Sequence, residues 1–454
     1  MTLWTSADIA AATGGAASGA FTASGVAFDS REVGEGDLFV ALKGETTDGH
    51  RFLDQAFAQG AAGALVSDAS AHPHVRVADT SEALNALGRA ARARMGGTVI
   101  GVTGSVGKTS AKEALWAALE RAAPGAAHRS LKSYNNHVGV PLSLSRMPRD
   151  TRFGVFEMGM NHAGEIAALT RLVRPHVAII TWVTSAHIEF FKSEEGIADA
   201  KAEIFQGLEP GGTAILPRDN RHFERLLAAA KLHTDRIVTF GRSDDADVRA
   251  LEAMRVPAGQ FVTTRVGERE LSFTLAQPGA HWVMNALAVL AAVDAAGGDL
   301  GLAGLALAEL NGMPGRGERT LVEAGEGQAL LIDESYNANP ASVRATLAVL
   351  AEEPGRRIAV LGEMRELGHQ SEALHAELAE PVLAARAELI LLVGEAMAPL
   401  AHALERKANV VHVPDTATAT ERLRAELRAG DAVLVKGSNG VGLSRLVAAL
   451  RNGA

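Results

Sequence analysis

The sequence predicts an α/β protein of three domains. These are a small N-terminal α/β domain (1–82), a central P-loop-type domain with a mostly parallel sheet (83–312), and a C-terminal Rossmann-like doubly wound domain (313–454). Three observations carry this. A length of 454 residues suits about three domains. From residue 96 onward, apolar runs of strand length alternate with Ala/Leu/Arg/Glu-rich helical stretches, the pattern of βαβ units. The segment Asn311-Gly-Met-Pro-Gly-Arg-Gly317 then concentrates Gly and Pro between two such series, as a hinge does.

The first 80 or so residues hold short strands, many glycines and the punctuated run from Asp29 to Gly44, hence a separate small domain. Thr98–Val102 reads as a strand and Ser110–Arg121 as a helix. Phe153–Phe156 is the next strand and Ala163–Val173 the next helix, followed by a Val177–Val183 strand and an Ile197–Leu208 helix. A weaker stretch contains an alternating segment around Gln260–Leu275; after Pro278-Gly279 a helix begins near His281. Beyond the hinge, strands are expected at Ala329–Ile332, Arg357–Leu361, Leu389–Val393, Val410–Val413 and Ala432–Val435, with helices between them.

Composition narrows the function. Hydrophobic residues make up 47% of the chain, enough for a core in each domain, and aromatics only 4%. A net charge of −9 argues against a general nucleic-acid surface or an anionic-membrane binder, but leaves room for local phosphate pockets built from oriented amides. With no cysteine, disulfides, thiolate–metal sites and a Cys nucleophile are excluded. The N-terminus lacks a basic region followed by an apolar run, and no apolar stretch is long enough to span a bilayer. A soluble, cytoplasmic protein is expected.

The strongest local signal is Gly101-Val-Thr-Gly-Ser-Val-Gly-Lys-Thr109, between a strand and a helix. Glycines let successive amides turn toward an anion, a lysine reaches the outer phosphates, and the following hydroxyl holds Mg²⁺. Gly104, Gly107, Lys108 and Thr109 supply these parts, in a loop shorter than the common eight-position pattern. Thr103, Gly104, Ser105, Val106, Gly107, Lys108, Thr109 and Ser110 are therefore the expected nucleotide-binding residues, with the positive end of the next helix aimed at them.

Ligands of an open parallel sheet sit beyond the carboxyl ends of its strands. Glu157 follows one such strand and can complete a Mg²⁺ shell begun by Thr109, although a solvated strand-end acid has the same pattern. His187 follows the next strand. Lys201, read alone, is an ordinary helix-face lysine. His281 and Asn285 share a helix face, and an Asn amide suits a purine edge as readily as a structural role. In the last domain Asp333-Glu-Ser-Tyr-Asn-Ala-Asn-Pro340, Gly362–Gly368 and Lys436-Gly-Ser438 place polar clusters on one strand edge.

Together these residues resemble the Mur ligase family over almost the entire chain. Gly-Ser-Val-Gly-Lys-Thr, Glu157-Met-Gly, Ala186-His187, Lys201-x-Glu-Ile-Phe205, His281-x-x-x-Asn285-Ala-Leu-Ala and Tyr336-Asn-Ala-Asn-Pro340 stand in the family's order and spacing. Ser133-Tyr-Asn-Asn-His-Val-Gly-Val-Pro141, Met158–Ile166 and Gly362–Gly368 favour the member that joins D-alanyl-D-alanine to UDP-N-acetylmuramoyl-tripeptide. The Asp-Asn-Pro-Arg motif usual in the neighbouring amino-acid-adding ligase is absent. Trp182 departs from the pattern, standing where such sequences commonly have Asn.

The resemblance implies an ATP- and Mg²⁺-dependent ligase of peptidoglycan precursor synthesis that works through an acyl phosphate. It implies one Mg²⁺ on Thr109 and Glu157, and a second near His187 oriented by a CO₂-derived carbamate on Lys201. It further implies adenosine contacts from Asn285, Asp333, Asn337 and Asn339, and a phosphate contact from Arg316. For the UDP-linked substrate, Ser30, Arg31, Lys43, Asn136 and His137 are the candidates, and a monomer is expected. Two rivals stay open: a neighbouring amino-acid-adding or folylpolyglutamate-type ligase, and a P-loop NTPase switch without ligation chemistry.

Overall fold

The computed structural model describes residues 2–44, 46–186 and 188–452. The N-terminal domain is a five-stranded sheet ordered Ala16–Ala17, His74–Arg76, Gly63–Val66, Asp37–Val40, Gly25–Ala27, all parallel except the first pair. The boundary expected at 82–83 falls inside the helix Thr80–Ala93, whose Ala83, Leu84, Leu87 and Ala91 pack into this domain's core.

The central domain is built on β1 (Thr98–Thr103), α1 (Lys108–Ala122), β2 (Phe153–Glu157), β3 (Val177–Ile180), α2 (Glu194–Ala202) and α3 (Ala280–Ala295). β1 lies between β3 and β2, third from one edge of a nine-stranded sheet, in parallel register with both. Both faces are covered: Val177 and Ile179 enter one apolar cluster, Ala178 and Ile180 the other. That double burial explains why these strands are near-continuous apolar runs. The weak stretch after residue 210 supplies Thr213–Pro217, Arg236–Gly241 and Val248–Val256, and the alternating segment is the antiparallel hairpin Gly259–Val266/Arg269–Leu275.

Two expected elements differ in extent from the reading. β3 stops at Ile180 because Thr181 leaves the sheet to bond the phosphate loop, its Oγ1 donating to Val106 O at 2.6 Å while Trp182 O accepts from Ser105 N at 2.7 Å. The helix expected at 197–208 starts at Glu194, after Ser193 caps Gly196 N, and tightens to a 3₁₀ turn over Glu203–Gly207. There Thr170 Oγ1 donates to Ile204 O at 2.7 Å, and a Cβ on Gly207 would lie 2.2 Å from Thr170 O.

The C-terminal domain carries β4 (Gly327–Glu334), α4 (Pro340–Ala351) and β5 (Ala432–Lys436) in a six-stranded sheet. Its first strand, Glu318–Ala324, pairs antiparallel with β4 and makes an exposed edge that the apolar-run criterion passed over. Central and C-terminal domains are also tied by Glu353, buried between Arg255 (2.7 Å) and Arg319 (2.6 Å). Among the described residues no helix is long and apolar enough to cross a membrane.

Candidate active site

A cavity of about 600 Å³ opens where the strand ends of the central and C-terminal sheets face each other. On the central side β1 ends at the buried Thr103, whose Oγ1 donates to Met158 O at 2.8 Å. The chain then turns with φ of +153° at Gly104 and +85° at Gly107. A Cβ would lie 2.1 Å from Thr181 Oγ1 at the first and 2.5 Å from Asn285 Oδ1 at the second, so only glycine lets the loop bed against both. With Gly107 preceding α1 there is no side chain to cap the first turn, and its amides and dipole remain available to an anion. Lys108 curls back so that Nζ donates to Gly104 O at 2.7 Å. Burial lowers its pKa and the Arg316 charge adds to this, while Glu157 opposes.

Glu157 is the last residue of β2 and is 1% exposed. One carboxylate oxygen accepts from Thr109 Oγ1 at 2.8 Å and the other from Asn135 Nδ2 at 2.7 Å. This is a compact set of hard oxygen donors. Among the described residues no three His, Asp or Glu side chains gather as a metal cage. Few protein oxygens, with positions left for phosphate and water, suit Mg²⁺ better than Ca²⁺ or a transition metal.

Lys201, on the last turn of α2, is fully buried, and its Nζ has no hydrogen-bond partner among the described residues. Burial drives its pKa well below that of an ordinary lysine; Lys108 pushes the same way, against Glu203, Glu157 and Glu165. His187 lies outside the described residues.

The opposite wall comes from the hinge and the C-terminal domain. Arg316 stacks its guanidinium 4.1 Å from the Tyr336 ring centre and donates to Ser133 Oγ at 3.1 Å, linking hinge to central domain. Asn337 and Asn339 line the cavity, Asn339 as the capping residue of α4. Glu334 and Lys436 line the cavity too: the Lys436 ammonium donates to Asn337 O at 2.9 Å and lies 3.5 Å from Glu334. Burial raises the Glu334 pKa and lowers that of Lys436, each opposed by its partner. His281, half-buried beside them on the cavity wall, has its pKa lowered to about 4 by desolvation and by Lys436.

Of the expected residues, Ser105 to Ser110, Glu157, Asn285, Arg316, Asn337 and Asn339 line this one cavity. Thr103 and Asp333 support it from behind. Asp333 binds Gly315 N (2.9 Å), Ser335 Oγ (2.6 Å) and Arg451, and so fixes the hinge rather than facing the cavity. Asn285 sits over Gly107, at the phosphate end. Asn136 is spent on the Val138 and Gly139 amides, and His137 is exposed; neither lines the cavity. Ser30, Arg31 and Lys43 belong to the N-terminal domain, where Ser30 bonds Gln55, Arg31 pairs with Asp29, and Lys43 pairs with Asp68. Trp182 lines the cavity beside the loop. Ser133 and Asn135, also on the wall, belong to the Ser133–Pro141 motif, which by itself gave them no role; sequence reasoning missed Asp219 and Arg242, which follow two strands of the weak stretch and were open to the strand-end rule.

Comparison with known proteins agrees with this geometry. Residues 22–95 match the model described as Mur ligase family, catalytic domain; 102–293 match the Mur ligase middle domain; and 315–439 match the Mur ligase, glutamate ligase domain. The UDP-N-acetylmuramoyl-tripeptide–D-alanyl-D-alanine ligase of Escherichia coli is 36% identical over 95% of this chain and 94% of its own length. That of Bacillus subtilis is 34% identical over 93% and 92%. A crystal structure of MurF from Acinetobacter baumannii superposes with a TM-score of 0.86 at 32% identity, covering 99% of both chains. One of MurF from Thermotoga maritima in complex with ADP gives 0.79 at 27%, covering 94% and 97%. Sharing its three domains, their order and nearly its full length with these proteins, the chain belongs to the Mur ligase family.

Proposed function

We propose that this chain joins D-alanyl-D-alanine to UDP-N-acetylmuramoyl-tripeptide through an acyl phosphate, giving the pentapeptide precursor of peptidoglycan, ADP and phosphate. The observation that carries the reading is the Thr109–Glu157 oxygen pair beside an uncapped helix N-terminus, in a chain more than 30% identical, nearly end to end, to ligases of that name.

A carboxylate is a poor acyl donor, since its leaving group would be oxide. Bound Mg²⁺–ATP supplies the phosphoryl group that turns it into a good one, and the charge that offsets repulsion between two anions. The chain's own task is positioning. The Gly104–Lys108 amides and the Lys108 ammonium cradle the outer phosphates, while Thr109 and Glu157 offer the metal its protein oxygens. Asn285 steadies the loop at Gly107, and Arg316 reaches from the hinge to the same phosphates. The turn holding Asn337 and Asn339 faces the rest of the nucleotide, so a bound nucleotide bridges two domains and keeps water from the acyl phosphate. Lys201 fits the carbamate role: buried with no partner for its Nζ among the described residues, it is biased toward the neutral amine, the form that adds CO₂ and, on losing a proton to solvent, becomes an anion. Ser30, Arg31 and Lys43 are assigned to the uridine diphosphate, within an N-terminal substrate domain that runs on into the helix Thr80–Ala93, beside the central ATP domain and the closing domain (313–454). ATP and UDP-linked substrates set the reaction in the cytoplasm.

The test is phosphate release by the purified protein. Turnover is expected only with ATP, UDP-N-acetylmuramoyl-tripeptide and D-alanyl-D-alanine together. Release with a single amino acid but not the dipeptide transfers the chain to a neighbouring ligase, and release without peptide makes it an NTPase switch.

A further inference from the structure

Between the strand Ala127–Arg129 and the helix Gly139–Ser145 the chain runs as an irregular strap, and three domains meet on it. Its residues alternate in direction. Lys132 and Tyr134 turn toward the N-terminal domain, where both donate to Glu32, Tyr134 at 3.0 Å. Ser133 and Asn135 turn into the cavity. Ser133 Oγ lies 3.5 Å from Thr109 Oγ1 and accepts from Arg316 of the hinge, and Asn135 holds Glu157. Glu32 closes the turn begun at Asp29, its N–H donating to Asp29 O at 3.0 Å, so it shares that turn with Arg31.

A strap with so little regular structure needs an anchor, and it has one. Lys112, one turn along α1 from Thr109, is fully buried, and its ammonium donates to Ser130 O at 2.7 Å and Lys132 O at 2.6 Å, with Glu113 at 2.9 Å. A buried ammonium is costly unless its donors are used, and here two are used on the strap's own backbone. The phosphate-loop helix thus grips the strap at the point where it splits toward substrate domain and metal site.

We propose that Lys112 is a positioning residue: it fixes the 130–135 strap so that the N-terminal substrate domain and the Thr109–Glu157 metal site are held in one register. The inference rests on the proposed function, because it takes the two ends of the strap to be substrate and metal ends. Lys112 touches no reacting atom, and Glu32 is not part of the cavity wall.

The test measures Mg²⁺ dependence and the coupling of two ligands in the full chain. Lys112→Met keeps the length of the side chain and removes its donors; by analogy with losses of outer-shell partners, it should raise the Mg²⁺ needed for half-maximal turnover by about tenfold or more. Calorimetry should show an ATP analogue with a non-hydrolysable γ-phosphate binding more tightly to the native chain when UDP-N-acetylmuramoyl-tripeptide is present, an enhancement lost in Lys112→Met. A purely structural lysine would lower thermal stability and leave both readouts where they were, which overturns the proposal. Should Lys112→Met not fold, Glu32→Gln on the surface carries the test: it should reduce the enhancement by about fivefold, the low end of ordinary coupling energies. An unchanged enhancement overturns the proposal as well. If the native chain binds neither ligand, it is the proposed function that fails.

Discussion

Two strand-turn-helix units face each other across the cavity, and their helices begin in opposite ways. α1 follows Gly107 and has no capping side chain. α4 follows Asn339, whose carboxamide accepts from Ser342 N while Ser342 Oγ accepts from Asn339 N, with Pro340 in the first turn. One N-terminus keeps its amides for a ligand; the other spends them on itself. In outline the two units look alike, a strand ending in polar residues and then a helix, yet the uncapped one leaves its first amides open to an anion. Lys112 aside, the two buried lysines nearest the facing walls repeat the contrast. Lys201 on the central side has no partner among the described residues, whereas Lys436 opposite holds Asn337 O and Glu334. The central side is set for what it will bind, and the C-terminal side for its own shape.

The sharpest way to break this comparison is at the loop. Lys108→Met should lower kcat by about 10³-fold, the scale of losing a preorganised charge contact in the transition state, with the fold retained. Gly107→Ala should fall in the same direction, because its Cβ would press on Asn285 Oδ1 from a left-handed backbone. Glu157→Gln comes next: the Mg²⁺ requirement should rise by at least the roughly 10- to 100-fold typical of losing an outer-shell partner, in a metal titration of turnover. If either activity survives intact, phosphate is held elsewhere.

The loop was legible in the sequence because its chemistry is local: Gly104, Gly107, Lys108 and Thr109 must be neighbours for successive amides to converge. So were the doubly buried strands β1, β2 and β3, which have to be mostly apolar between their ends. Asn135 was not, since its meaning lies in Glu157, distant along the chain and adjacent only after the sheet forms. Asp333 stood at the right strand end but turned beneath the hinge toward Gly315 and Ser335, a choice of rotamer that no spacing encodes. Lys201 became a candidate through family resemblance; its burial and lack of a partner are tertiary facts. The Glu318–Ala324 edge strand stayed hidden because an exposed edge needs no apolar run.

Lys201 offers a test of the contrast between the two lysines. Its pKa is depressed in the folded chain, whereas the unfolded chain takes up its proton near the ordinary value of about 10.4. Between the two pKa values the unfolded state binds more protons, so this residue makes stability rise with pH across that window. Lys201→Met removes the titration. The variant should gain stability at pH 7 relative to the native chain, in CO₂-free buffer, and the gain should shrink toward pH 10. Urea midpoints at the two pH values check the sign; a variant equally shifted at both would mean that the amine is charged and partnered in the native state. Turnover lost in Lys201→Ala and partly restored by short carboxylic acids would give the carbamate role a separate footing.

The smallest expected effect lies on the other wall. Asn339→Ala removes the α4 cap, and loss of such a cap costs about 1 kcal/mol of stability. Because those amides serve the helix itself, nucleotide affinity should stay within about twofold of the native value, a change of less than 0.5 kcal/mol or so. A loss of affinity much beyond the loss of stability would mean that the Asn339 carboxamide contacts the nucleotide directly. Denaturant unfolding and calorimetry on the same preparation separate the two. The first outcome leaves α4 as a self-capped wall, and the second makes it a binding element whose cap is traded for a ligand when the domains close.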